Sequence, residues 1–113
     1  FLKNKIASSS MTVPIPDGST VDLTIDITKE TTIEEINNLL KNYSENELKN
    51  IIGITYDPIV SSDVVRSTLS GLIDGLATMG INNKKIKLII WFDNGWGYAS
   101  RIIDTIKRLG QEL

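Results

Sequence analysis

The sequence predicts a single α+β domain in which strands and helices share one core, and three observations carry that prediction. Val21, Leu23, Ile25 and Ile27 alternate strictly with Asp22, Thr24, Asp26 and Thr28, the period of a strand with one buried and one polar face. Ile33, Ile36, Leu39, Leu40 and Tyr43 recur at helical spacing, which predicts an amphipathic helix. Ile86, Leu88, Ile89, Ile90 and Trp91 form a nearly continuous apolar run, as expected of an interior strand covered on both faces.

The remaining elements follow in order. Met11 to Pro16 reads as a short strand, which Pro14 and Pro16 confine to an edge or irregular position because proline cannot donate to a ladder. Asp17-Gly18 marks the turn before the alternating strand. Thr32 with Glu35 three residues later offers a capping box at the first helix,. Ile51 to Tyr56 reads as a strand ended by Asp57-Pro58,. Between Ser61 and Asp74 the pattern is weaker, with a strand near Leu69 to Ile73. After Gly97, residues Tyr98, Ile102, Ile103, Ile106 and Leu109 return at helical spacing, with Arg101, Lys107 and Arg108 on the other side. No repeat, low-complexity tract or linker divides the chain, so residues 1–113 are expected to form one unit.

A chain of 113 residues can bury about two thirds of its unfolded surface, enough for one core. Twelve basic against fourteen acidic side chains leave a net charge of −2, too balanced to attract nucleic acid or an anionic membrane. Neither is an expected partner. The longest apolar runs fall far short of the roughly 20 residues that span a bilayer, and no secretory or transit pattern opens the chain. It begins at Phe1 and its first methionine is Met11, inside a predicted strand, which points to a piece of a longer protein.

The chemistry open to these residues is narrow. There is no cysteine and no histidine, which removes disulfides, thiolates and the usual nucleophile–base pairs. Ser61 and Ser62 precede Asp63, but no spacing ties them to Lys84, Lys85 or Lys87, so no catalytic residue is expected in this chain. Asp22 and Asp26 share one face of a strand, where a solvated or subunit-facing polar edge is the plainer reading than acid–base work. Without sulfur or imidazole only hard-oxygen ligation remains, and no calcium-loop spacing is present; no metal is expected.

The sharpest local feature is Trp91-Phe92-Asp93-Asn94-Gly95-Trp96-Gly97-Tyr98, and three readings of it stand. Asn94-Gly95 is a turn pair in which both residues tolerate positive φ. Gly95, Gly97 and Ser100 approximate a dinucleotide-binding loop, with serine in place of the third glycine,. In the third reading Asn94 is displayed from a strand end, where its amide can both donate to and accept from a carboxamide such as nicotinamide.

This segment resembles the Trp-Tyr-Asp-Asn-Glu-Trp-Gly-Tyr signature of the phosphorylating glyceraldehyde-3-phosphate dehydrogenases. The family's Val-Pro-Thr-Pro-Asn-Val-Ser-Val-Val-Asp-Leu-Thr is similar to the segment from Val13 to Thr24, which carries Val13-Pro14, Pro16, Val21-Asp22 and Leu23-Thr24. Its Leu-Lys-Gly-Ile-Leu-Gly-Tyr is similar to Leu48-Lys49-Asn50-Ile51-Ile52-Gly53-Ile54, and its Val-Ser-Ser-Asp stands as Val60 to Asp63. Asp74 and Lys87-Leu88 fall into the same ungapped register, so the resemblance covers essentially the whole chain.

The resemblance implies a mixed, largely antiparallel sheet with helices packed on one face, forming the C-terminal portion of a catalytic domain that includes the C-terminal helix. It implies a cytoplasmic homotetramer that oxidatively phosphorylates glyceraldehyde 3-phosphate to 1,3-bisphosphoglycerate in glycolysis. NAD would sit on an N-terminal Rossmann domain, with the cysteine and histidine also ahead of Phe1, so this chain alone would be inactive. Asn94 would orient the nicotinamide carboxamide, Tyr98 would pack beside it, and the sheet face carrying Val21 to Thr28 would serve subunit contacts. Three positions depart from the pattern. Thr12 stands where the family has an arginine that grips the substrate phosphate, and a hydroxyl supplies neither its charge nor its paired donors. Gly95 stands for glutamate and Phe92 for tyrosine. These departures, with the missing nucleophile, keep a noncatalytic association module or a paralogue as the alternative.

Overall fold

The computed structural model describes residues 2–111. Strand β1 (Ser19–Asp26), helix α1 (Ile33–Glu45), β2 (Ile52–Thr55), a 3-10 turn (Ser61–Val64), β3 (Gly71–Asp74), β4 (Met79–Ile81), β5 (Lys85–Phe92) and α2 (Asn94–Gln111) follow one another. The five strands form a mixed sheet in which β1-β5-β3-β2 lie in that order and β4 also pairs with β5, so the chain has the α+β architecture the patterns predict.

The most hydrophobic strand is the hub. β5 pairs antiparallel with β1 along its whole length, from Ser19↔Phe92 to Asp26↔Lys85. On its other side it meets β3 near its end, Leu72↔Trp91 and Ile73↔Ile90, and β4 near its start, Met79↔Lys87 to Ile81↔Lys85. The one parallel pair is β2 with β3, Ile52↔Gly71 to Thr55↔Asp74. Paired residues share a face, so Val21, Leu23, Ile25, Ile86, Leu88, Ile90, Ile73 and Ile54 point one way. The fully buried apolar side chains include Ile86, and Leu88 and Ile73 are nearly so. Ile33 at the start of α1 lies over this face, within 3.4 Å of where a Cβ on Gly80 would sit.

Helix α1 starts as its capping box predicts. Glu35 N–H donates to Thr32 Oγ1 at 3.1 Å, and Thr32 N–H donates to Glu35 Oε2 at 2.9 Å. The Thr32 N–H, then the Thr31 hydroxyl, hold the Glu35 carboxyl below its ordinary range. Asn37 docks the helix: it is buried, donates to Gly75 O at 3.0 Å and accepts from the Thr78 hydroxyl at 2.9 Å. A buried amide satisfied on both sides ties α1 to the β3–β4 connection without an unpaired polar group.

The opposite face carries Asp22, Thr24 and Asp26 of β1 beside Lys85, Lys87, Ile89 and Trp91 of β5. Lys85–Asp26 and Lys87–Asp22 close at 2.7 Å. Both pairs are half exposed, so each contributes at most about 1 kcal/mol. Asp22 and Asp26 are thus engaged by lysines, in keeping with a polar edge. The expectation that β5 is covered on both faces needs correction: Ile89 and Trp91 are only half-buried and Lys87 lies among them.

Four further expectations are corrected. Met11 to Pro16 is not a strand; Ile15 N–H turns back to Val13 O at 2.9 Å, and neither Pro14 nor Pro16 has an N–H to offer a neighbour. The strand near Leu69 begins only at Gly71, and the alternating strand ends at Asp26 rather than Thr28, although Ile27 N–H still donates to Lys84 O at 2.8 Å. β4 has no forecast in the sequence, because its three residues become a strand only by pairing with β5. The last helix begins at Asn94 and not after Gly97.

Replacing Thr32 by alanine removes one half of the capping box and is expected to lower stability by about 1 kcal/mol. Urea unfolding checks this as a lower midpoint at unchanged slope; an unmoved midpoint would mean that packing alone fixes the start of α1.

Candidate functional site

The end of β5 and the start of α2 are joined by Asp93, whose side chain is 2 % exposed. Asp93 stands at the N-cap position, where an aspartate accepts from the free N–H groups of the first turn. Its Oδ1 accepts from Trp96 N–H at 2.8 Å, its backbone oxygen from Gly97 N–H at 3.1 Å, and its Oδ2 from Arg66 N–H at 2.7 Å. The Trp96 N–H and then the Arg66 N–H hold the carboxyl below its ordinary value of 3.8. Arg66 meets it from a left-handed backbone, φ 65°, beside Val64, which is fully buried.

Two glycines let the surrounding chain close in. Gly18, at φ 93°, lies where a Cβ would come within 2.7 Å of Ser61 O, so the Asp17-Gly18 turn presses on the 3-10 segment. Gly97 sits where a Cβ would come within 2.7 Å of Leu69 O, which brings α2 against the loop before β3. Arg101, one turn on, donates to Asn50 O at 3.3 Å and to Ser70 Oγ at 3.2 Å and pairs with Asp104 at 2.6 Å.

On this anchored turn Asn94 and Tyr98 are both exposed, Tyr98 by 70 %. Four residues apart, they lie on the same side of the helix. With Ser70, Phe92, Asp93, Gly97 and Arg101 they line a shallow depression of about 200 Å³, large enough for one aromatic ring and its amide but not for a whole dinucleotide. Thr12 is elsewhere. It lines a separate open cleft with Ser9, Ser10, Ser19 and Thr20. A third depression, about 590 Å³, lies between Ile27 to Thr31 and the Ile36–Leu39 side of α1. Its acidic groups are already engaged, Glu35 on the cap, Asp26 by Lys85 and Glu30 by Lys84 at 3.4 Å.

Two readings of the aromatic segment are overturned by this geometry. Asn94-Gly95 is not a turn between elements but the first turn of α2. Gly95, Gly97 and Ser100 do not form a phosphate loop, since all three lie within the helix and Asp93 already takes the Trp96 N–H on its carboxylate and the Gly97 N–H on its backbone oxygen,. Asp93 itself was missed by the sequence reading. Its signal was present as an aspartate immediately before a helical periodicity, with Trp96 at the third position after it.

The family model of the glyceraldehyde 3-phosphate dehydrogenase C-terminal domain matches residues 1–94. The chain belongs to this family. It is similar to the glyceraldehyde-3-phosphate dehydrogenase of Borreliella burgdorferi, 47% identical over 110 residues that make up 96% of this chain and 33% of that protein. It is 45% identical to that of Geobacillus stearothermophilus over 103 residues, 91% of this chain and 31% of the relative. With the cytosolic enzyme of Pisum sativum it shares 39% over 112 residues, 99% of this chain and 33% of the relative. The chain thus spans about a third of the length of these relatives. Among the described residues no group of three or more His, Cys, Asp or Glu side chains gathers as a metal site, and no helix is long and apolar enough to cross a membrane.

Two measurements probe the junction. Gly97→Ala forces a Cβ onto the Leu69 carbonyl and is expected to cost about 1–3 kcal/mol, as overpacking does; an unchanged unfolding midpoint would show that α2 does not rest there. Because the folded Asp93 carboxyl lies below its ordinary 3.8, it stabilises the fold above that value and loses its contribution as pH falls through the lower folded value. Asp93→Asn should therefore be less stable at neutral pH and lose less on acidification into that window. Parallel losses in the two proteins would remove Asp93 as the group responsible.

Proposed function

We propose that residues 1–113 are the C-terminal portion of the catalytic domain of an NAD-dependent, phosphorylating glyceraldehyde-3-phosphate dehydrogenase, including its C-terminal helix. The proposed activity is oxidation of glyceraldehyde 3-phosphate to 1,3-bisphosphoglycerate in glycolysis, in a cytoplasmic homotetramer. The observation that carries this reading is the junction at Asp93: a buried carboxylate fixes the first turn of α2, and that turn presents Asn94 and Tyr98 together in one ring-sized depression.

In this reading the Asn94 amide meets the nicotinamide carboxamide through complementary donor and acceptor atoms, and the Tyr98 ring packs beside it. NAD, when bound, supplies the hydride acceptor. The chain's part is orientation only, since its 113 residues include no thiol and no imidazole to form a bond to an aldehyde or carry its proton,. Those groups must come from other residues of the enzyme, as must the Rossmann domain.

The surface supports a larger assembly. The accessible area is 8743 Å², against about 6,200 Å² for a compact monomer of this mass. The radius of gyration, 15.6 Å, exceeds the roughly 13 Å of a compact chain of this length. Residues 2–16 lie outside every helix and strand and are exposed, as is most of α2. Val21 and Leu23 on β1 remain 41% and 37% exposed, in keeping with subunit contacts at that strand. Trp91 Nε1 is buried without an acceptor among the described residues.

Three measurements test the reading. The purified 113-residue chain should produce no NADH from glyceraldehyde 3-phosphate, NAD and phosphate; steady turnover would overturn the division of labour. In the complete enzyme Asn94→Ala should weaken productive nicotinamide placement by roughly 1–3 kcal/mol if one buried amide contact is lost, and unchanged kinetics would remove Asn94 from the site. Thr12→Arg adds a charged, two-pronged donor. If the substrate phosphate docks at this cleft, KM for glyceraldehyde 3-phosphate should fall while that for unphosphorylated glyceraldehyde stays put; equal effects on both would place the phosphate elsewhere.

A further inference from the structure

Asn94 is the only asparagine of the chain that a glycine follows, and both residues are exposed in the first turn of α2. An asparagine side chain places an amide carbon within five-membered-ring reach of the next backbone nitrogen. A Cβ on that next residue hinders the approach, and glycine has none. The space around Gly95 is open, since a Cβ built there would meet only Asp93 Oδ1, at 3.6 Å. Its N–H has no carbonyl partner in the helical ladder and faces the Asp93 carboxylate, which it helps to hold in its charged form.

We propose that Asn94-Gly95 is a site of spontaneous self-modification, locked by the Asp93 cap. Gly95 N attacks Asn94 Cγ; the N–Cγ bond forms, the Cγ–Nδ2 bond breaks, and the amide proton leaves with the amine as ammonia. Water then opens the succinimide ring, leaving aspartate or isoaspartate at position 94. Nothing is oxidised or reduced, and water is the only co-reactant.

The lock is conformational. A helical backbone at Asn94 turns the Gly95 nitrogen away from Cγ, and ring closure needs the Asn94 ψ to leave its helical value. The first turn must therefore open. Terminal turns normally open at small cost compared with global unfolding, but here Asp93 holds Trp96 N–H at 2.8 Å and Gly97 N–H at 3.1 Å while Arg66 N–H fixes its other oxygen at 2.7 Å. Amide loss at position 94 thus reads out how often the cap lets go. The Asp17-Gly18 pair makes a useful contrast: Gly18 N–H already meets Asp17 Oδ1 at 2.7 Å, but a carboxylate is a poorer electrophile and its isomerisation leaves the mass unchanged.

The chemistry stands on this chain's own residues, whereas its consequence rests on the proposed role of Asn94. Conversion replaces the NH₂ donor with a carboxylate, and isoaspartate also lengthens the backbone by one atom just where the helix begins. A dehydrogenase modified here would lose cofactor placement while keeping its fold.

Peptide mapping by mass spectrometry, with an isoaspartate assay, tests the proposal on the purified protein held in mildly alkaline buffer. Amide loss should appear at Asn94, slow several-fold in Gly95→Ala, and quicken several-fold in Asp93→Ala and in the unaltered protein unfolded by urea. An Asn94 that stays intact in the native protein after Asn82 and Asn83, in the left-handed hairpin turn, have lost their amides would overturn the site. A folded Asp93→Ala protein with an unchanged rate would overturn the lock. Should that variant not fold, equal rates in native and urea-unfolded protein would do the same. None of these readouts involves activity, so the proposal can fail while the cofactor role of Asn94 stands, and the reverse.

Discussion

The Asp93 carboxylate is the constraint on which the rest of the molecule turns. It is a buried charge, and a buried charge persists only where hydrogen bonds replace its lost water. Here backbone N–H groups do so, from Trp96 in the helix ahead and from Arg66 in the loop between β2 and β3. One side chain therefore fixes where β5 ends, in which direction α2 leaves, and how the 64–66 loop passes under both. The left-handed backbone at Arg66 and the glycine at position 97 are accommodations to that junction.

Helix α2 is attached in an unusual sense. Gly97 and Arg101, on its small and polar side, touch the body of the protein, while Tyr98, Ile102, Ile106 and Leu109 form an apolar stripe that stays 42% to 70% exposed. A surface helix ordinarily turns its apolar stripe inward. α1 does so in part, at the half-buried Ile36 and Leu40, while Ile33, Leu39 and Tyr43 stay exposed, and it fixes itself further with the buried Asn37. The two helices are thus attached differently: α1 packs part of its apolar side on the sheet, and α2 leaves its apolar stripe exposed while its first turn carries Asn94.

Much of this was legible in the sequence, and the exceptions have physical causes. β1 and α1 were readable because each is long enough for its period to repeat, and because Thr32 and Glu35 name the start of the helix. β4 was not, since Met79, Gly80 and Ile81 carry no period and owe their conformation to β5. Asn37 was unreadable as a core residue because its partners, Gly75 and Thr78, lie about forty residues away. The start of α2 was misplaced because Asn94-Gly95 has strong turn chemistry of its own; what overrides it is the cap supplied by Asp93 from outside the pair. Asn94 was visible in the local pattern as one of three open readings and Tyr98 only through family resemblance, and Thr12 showed a departure whose cleft only the structure locates.

The energetics explain why so open a surface is compatible with a specific fold. The apolar faces that stay wet, chiefly the α2 stripe with Val21 and Leu23, hold back burial that is worth about 1.5–3 kcal/mol for each large aliphatic side chain when complete. The covered core, by contrast, centres on Ile86, Leu88, Ile73 and Val64. Shape is therefore specified locally, by caps, register and the Asn37 and Asp93 hydrogen bonds, and the exposed apolar faces contribute little to it. Local caps and register therefore place the first turn of α2, with the exposed Asn94 and Tyr98, without drawing on the apolar faces that stay wet.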